Sequence, residues 1–126
     1  MDQAIWQIIL VAVLLVISSL AKAIQDKLQF HFDKSVFSKV KNKQYWNPAI
    51  SHRNKWKNGD SRQGEKFFMS STLLVGLTDA WHLFGLIRNL SIVSTIPVLT
   101  LNPWFILSYV LYFSVFHVFY TWVFKR

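Results

Sequence analysis

The chain has no cysteine, four glycines and three prolines in 126 residues, and only six acidic side chains against 14 lysines and arginines. The missing cysteine excludes disulfide frameworks, thiolate metal centres and cysteine nucleophiles, and leaves the compartment open. No P-loop, glycine-rich dinucleotide turn, Gly-x-Ser-x-Gly elbow or His-Glu-x-x-His sequence occurs, so nucleotide and hydrolase chemistry of the usual kinds has no support. Charge is also missing from long stretches: residues 1–21 hold one charged residue and 67–126 hold four, whereas 22–66 hold fifteen. That distribution excludes an ordinary soluble domain and a disordered tail, and points to a polytopic membrane protein.

What is present is apolar: 52% of the residues are hydrophobic and 17% aromatic. The fold class predicted is all-α, an integral membrane protein of three transmembrane helices in a single domain over 1–126. The first span is placed at about 4–21, inside the charge-free run Gln3–Ala21, which is long enough as a helix for a ~30 Å hydrocarbon layer. Ala21-Lys22-Ala23 resembles a signal-peptide cleavage site, but the preceding Met-Asp-Gln is acidic where such a peptide needs positive charge. The second span is placed at 67–87, interrupted only by Asp79 and His82. The third is placed at 103–124, where Asn102-Pro103 supplies a cap and a φ-fixed first residue and Lys125-Arg126 suits a helix C-terminus. Residues 88–102 are read as a short interfacial segment, because Arg88-Asn89 is costly at mid-membrane.

Eleven of the 14 cations lie in 22–66, so the positive-inside rule puts the N-terminus outside and the basic loop and C-terminus in the cytoplasm, at a cell or inner membrane. Trp6, Trp104 and Trp122 fall near predicted helix ends, as interfacial aromatics do. Within the loop, Ile24, Leu28, Phe32, Val36 and Val40 recur every four residues opposite Lys27, Lys34 and Lys41. This predicts an amphipathic helix over 24–41 lying on anionic lipid, with Arg53, Lys55 and Lys57 as further headgroup contacts. The remainder, 42–66, carries turn signals at Asn47-Pro48 and Asn58-Gly59-Asp60 and reads as a short folded cap. Its Tyr45, Trp46 and Trp56 among cations raise nucleic-acid binding, but aromatics beside cations at a membrane surface have the simpler interfacial explanation.

Asp79 in the middle of a span costs at least ~2.5 to 3.5 kcal/mol unless it is paired or protonated. His82, one turn on, is its natural partner, and Ser114, His117 and Thr121 form a polar stripe on the third span that extends the intramembrane cluster. Thr72, Gly76 and Ala80 have the spacing of a small-residue ridge, which predicts a homo-oligomer or a membrane partner subunit. The reading of function is a non-enzymatic assembly, transport or channel-like component built around Asp79 and His82. The alternative is an enzyme acting on a lipid headgroup, with Asp79 and His82 as general base and orienter, or as metal ligands together with His31 and Asp33. A third zinc ligand from His31, Asp33, His52 or His117 has no diagnostic spacing, and a haem held by His82 and His117 needs equal depths that the predicted helices do not give. No cofactor is assigned.

Overall fold

The computed structural model describes residues 2–119, an all-α chain whose only β feature among those residues is a single bridge between Trp56 and Glu65. Helix α1 runs from Gln3 to Phe30. It has no glycine or proline to stop it, so the expected first span and the start of the expected amphipathic helix are one continuous element. The amphipathic helix does not continue to residue 41. Beyond Phe30 the backbone breaks into 3₁₀ turns at Phe32–Lys34 and Val36–Lys39, where the Ser35 hydroxyl donates to the Phe32 carbonyl (2.6 Å) and the Ser38 hydroxyl to the Ser35 carbonyl (2.8 Å). These serines offer the carbonyls an alternative to helical pairing. Lys27, Lys34 and Lys41 are exposed but do not share one helical face.

The segment 42–66 is folded. Helix α2 (Lys43–Trp46) is capped by the Asn42 side chain, and α3 (Pro48–Ser51) by Asn47 with proline in its first turn. Asn58 and Gly59 take left-handed φ of 50° and 72°, and the Asp60 carboxylate then accepts from the Arg62 N–H at 2.9 Å. Trp46 stacks on Phe37 (5.2 Å between centroids) and meets Phe84 at 5.9 Å, which supplies the aromatic core of this region.

The largest departure lies in the expected second span, 67–87. Residues 67–79 form turns and a 3₁₀ segment, and α4 runs from Ala80 to Thr100. The Glu65 carboxylate accepts from the Met69 N–H (3.2 Å), the Ser71 N–H (3.2 Å) and the Ser71 hydroxyl, while Ser70 donates to the Lys55 carbonyl (2.7 Å). Side chains thus take over groups that a helix would pair with itself. Residues 90–100, expected in a separate interfacial piece, are the second half of α4 with Pro97 inside it, and Arg88 and Asn89 sit in mid-helix. Asn102 caps the following 3₁₀ turn Pro103–Ile106, accepting from the Trp104 N–H at 3.0 Å, and α5 covers Leu107–Val118. The end of the expected third span, with Thr121, Trp122 and Lys125-Arg126, lies outside the described residues.

Two compact units divide the chain. In Ser18–Arg88, α1 presents a buried stripe of Ser18, Ala21, Gln25 and Leu28. Ser18 Oγ donates to the Arg88 carbonyl (3.1 Å) and Gln25 Nε2 to the Trp81 carbonyl (3.3 Å), so these parts of α1 and α4 run antiparallel. Arg88 Nη1 donates to Gln25 Oε1 (2.8 Å) and Trp81 Nε1 to Gln29 Oε1 (3.0 Å). Gly85 admits the Gln25 amide: a Cβ there would stand 2.8 Å from its Nε2. In the other unit, Met1–Ile17 with Asn89–Arg126, Gln7 Nε2 donates to the Val98 (2.9 Å) and Leu99 (3.3 Å) carbonyls at the end of α4, and the Ser94 and Tyr109 hydroxyls bond. This second unit holds only Asp2, Lys125 and Arg126 of the chain's charged residues.

By length and composition, α1 and α4 are both able to cross a membrane, and only 11% of the most apolar stretch of each is buried. The first also lies near the N-terminus, where signal sequences lie. The geometry around Gln25 makes the first prediction. Gln25→Ala is expected to lower stability by roughly 1–3 kcal/mol by removing the acceptor of a partly buried charged hydrogen bond. Gly85→Ala should displace the Gln25 amide in the wild-type background but gain about 0.5–1 kcal/mol of helix propensity once Gln25 is gone. Unfolding midpoints of the four chains in detergent measure this coupling, and strict additivity would contradict the packing.

Candidate functional site

Asp79 and His82, paired in the sequence reading, are in contact, but not in mid-helix. Asp79 is the residue immediately before α4 and is 1% exposed. Its Oδ1 accepts from the His82 backbone N–H (2.9 Å), and its Oδ2 from His82 Nδ1 (2.7 Å) and the Thr78 hydroxyl (3.3 Å). This is an N-cap, in which a carboxylate satisfies an orphan N–H of the first turn and sits at the positive end of the helix dipole. Contact of Nδ1 with the Asp79 carboxylate fixes the ring orientation and leaves Nε2 as the ring nitrogen on the far side from that carboxylate. The ring is partly exposed and the Trp81 indole packs edge-on against it at 4.9 Å.

The surrounding residues come from the loop region. Asn54 donates to the Gln44 (2.7 Å) and Thr78 (2.8 Å) carbonyls and accepts from Gln44 Nε2 (2.7 Å), tying α2 to the residue before Asp79. The Tyr45 hydroxyl donates to the Gly76 carbonyl at 3.0 Å. Burial, and then the negative charge of Asp79, hold the Tyr45 phenol above its ordinary value of 10.0. Glu65 is displaced the other way, its carboxylate favoured chiefly by the Ser71 hydroxyl. Between these elements lies an open, mostly polar pocket of about 220 Å³, bordered by Gln44, Tyr45, Asn54, Lys66, Phe67 and Thr78 among others. Its amides and one lysine suit a small polar or anionic group, and neither Asp79 nor His82 lines it.

The other expected site residues are dispersed. Ser114 is exposed on α5, and the His117 side chain and all of Thr121 lie outside the described residues. Thr72 is exposed while Gly76 and Ala80 are buried within the chain; they share no helix, so the small-residue ridge is not formed. Gly76 is used internally, where a Cβ would meet the Leu83 Cα at 3.3 Å. His31 and Asp33 flank the turn after α1, and His52 contacts the Pro48 carbonyl through Nδ1 at 3.1 Å. Among the described residues no three His, Asp or Glu side chains converge, so the metal candidates His31, Asp33, Asp79 and His82 are not gathered into one site. The cations of 22–66 are exposed except for partly buried Lys55, and among the described residues Lys22, with Asp26, is the one of them in an ion pair. Arg53 and Lys57 are among the exposed, and Lys55 lies 5.6 Å over the Trp56 ring.

Gln25, Arg88, Tyr45, Asn54 and Glu65 organise this region and were not singled out as a cluster by the sequence. One signal was available: Thr78-Asp79 ahead of an apolar run has the form of a helix start. Comparison of the chain with family models, with curated proteins and with solved structures gave no match.

If Asp79 is a cap, Asp79→Ala costs about 0.5–2 kcal/mol, and Asp79→Asn, which keeps an acceptor for the His82 N–H, costs less; thermal unfolding followed by circular dichroism ranks them. Equal losses would contradict capping. Tyr45 gives a pH signature. Its folded pKa is raised, so its contribution to stability is complete below about 10 and is lost as pH rises through the folded value. Ultraviolet titration of wild type against Tyr45→Phe isolates this phenol, and Asp79→Asn should bring it back toward the ordinary value.

Proposed function

We propose that this is an integral membrane protein with a non-enzymatic, anchoring or assembly role, whose folded basic region engages the anionic headgroups of the cytoplasmic leaflet. The observation that carries this reading is the division of charge between the two units. The unit of Met1–Ile17 and Asn89–Arg126 is almost free of charge and has exposed Leu, Ile, Val and Phe over its helices. Lipid is the solvent such a surface suits. The unit Ser18–Arg88 carries eleven Lys and Arg in 22–66, and among the described residues ten of them have no carboxylate partner. A cation close to an anionic leaflet gains about 1 kcal/mol, and the same bias sets orientation with the N-terminus outside and the basic region and C-terminus cytoplasmic. Three crossings, by α1, α4 and the third span expected at 103–124, are part of the proposal.

In this reading Asp79 and His82 hold the start of α4 and do not line a pore. With the ridge of Thr72, Gly76 and Ala80 absent, the packing argument for a homo-oligomer is withdrawn. One observation favours the enzyme alternative: a carboxylate-oriented imidazole is the arrangement of a general base. Against it, the pair is separate from the polar pocket that would receive a headgroup.

Native mass spectrometry of the purified protein in mixed phosphatidylglycerol and phosphatidylcholine tests the proposal. Retention should favour the anionic lipid, and replacing Lys34, Lys41, Arg53 and Lys57 by Gln should abolish the preference without changing phosphatidylcholine retention. No preference in the wild type would contradict it. A lipid whose headgroup is altered on incubation, with the change lost in His82→Ala, would replace it with the enzyme reading.

A further inference from the structure

The segment 67–79 was expected within a transmembrane helix and is not helical, yet it keeps the side chains of one. Phe68 is 81% exposed, Leu73 and Leu77 are each 66% exposed, and Phe67 and Leu74 are exposed beside them. Resting on the membrane reading above, we infer that Phe67–Leu77 is an interfacial anchor that inserts these side chains into the headgroup–acyl boundary of an anionic bilayer.

The segment is built to present them. The Glu65 carboxylate holds the Met69 and Ser71 N–H groups and the Ser71 hydroxyl from one side, and Ser70 fastens the turn to the Lys55 carbonyl. Ser70, Thr72, Leu74, Val75, Leu77 and Thr78 send their N–H groups to carbonyls within the segment. Backbone groups satisfied in this way lower the cost of placing an irregular segment at the edge of a low-dielectric layer. Met69 adopts φ of 59°, a left-handed conformation uncommon for a side chain of this kind, so the turn is fixed by its surroundings and is not a relaxed linker. Charge specifies the occupant. Lys55 and Lys66 are joined by a backbone hydrogen bond (2.9 Å) at the base of the segment, and among the described residues neither has an acidic partner. Apolar tips above a cationic base match an acyl layer under anionic phosphates. Continuity points the same way: Gly76 packs on Leu83, in the first turns of α4, one of the two helices able to cross a membrane.

The absence of native cysteine makes the test direct. Single-cysteine chains Phe68→Cys, Leu73→Cys, Lys57→Cys and Val13→Cys are labelled with an environment-sensitive fluorophore and reconstituted in phosphatidylcholine–phosphatidylglycerol vesicles. Iodide serves as the aqueous quencher and nitroxide-bearing acyl chains as the lipid quencher. Labels at 68 and 73 should be quenched by shallow chain nitroxides and be several-fold less sensitive to iodide than the label at 57. If 68 and 73 respond to iodide like 57 while 13 is in lipid, the anchor is overturned and the membrane reading stands. If 13 is also open to iodide, the membrane reading itself fails. If 68 and 73 are shielded from both quenchers in a chain that sediments as a dimer, a second copy covers the segment and the inference falls.

Discussion

A polar group without a partner beside hydrocarbon costs several kcal/mol, and this constraint accounts for the positions of the side chains that organise the fold. Arg88, in the middle of an apolar helix, donates to Gln25 of α1. Gln25 also donates to the Trp81 carbonyl and reaches it because Gly85 has no side chain. Asp79 is buried because the N-terminus of α4 offers it an N–H and His82 offers it a ring nitrogen. Glu65 fills the equivalent role for the turn that follows it. In each case a side chain completes a hydrogen bond for a polar group elsewhere in the fold.

These pairings give the polar residues of the apolar regions a structural purpose that does not depend on chemistry at a substrate. A carboxylate at a helix start is stabilised by the local dipole and needs neither a proton relay nor a metal to explain it. The contrast between the units then becomes the main functional signal. One is poor in charge and displays apolar side chains over its helices, while the other concentrates exposed cations on a folded surface.

The all-α class, the first apolar helix, the folded character of 42–66 and the cap at Asn102 were legible in the sequence. Run length, scarcity of charge and Asn-Pro or Asn-Gly signals are local properties that survive folding. The start of α4 was not legible as it stands, because Phe67 to Ile87 reads as one apolar run and hydropathy takes no account of where backbone hydrogen bonds go. Glu65, from outside that run, Ser70, bonded fifteen residues back to Lys55, and Tyr45 and Asn54, bonded to the Gly76 and Thr78 carbonyls, compete with helical pairing there. The pairing of Asp79 with His82 followed from their spacing, but its setting changed from mid-span to helix cap. Gln25 drew no notice because a glutamine beyond a charge-free run looks like surface, and its meaning depends on Gly85 and Arg88, sixty and more residues away.

The central claim is that lipid surrounds the charge-poor unit and water the basic region 31–66. Uniformly labelled protein in lipid nanodiscs, titrated with a water-soluble paramagnetic gadolinium chelate, reports this amide by amide. Signals from 5–17 and 90–100 should keep their intensity while those from 31–66 are broadened. Equal broadening of both sets would contradict the claim.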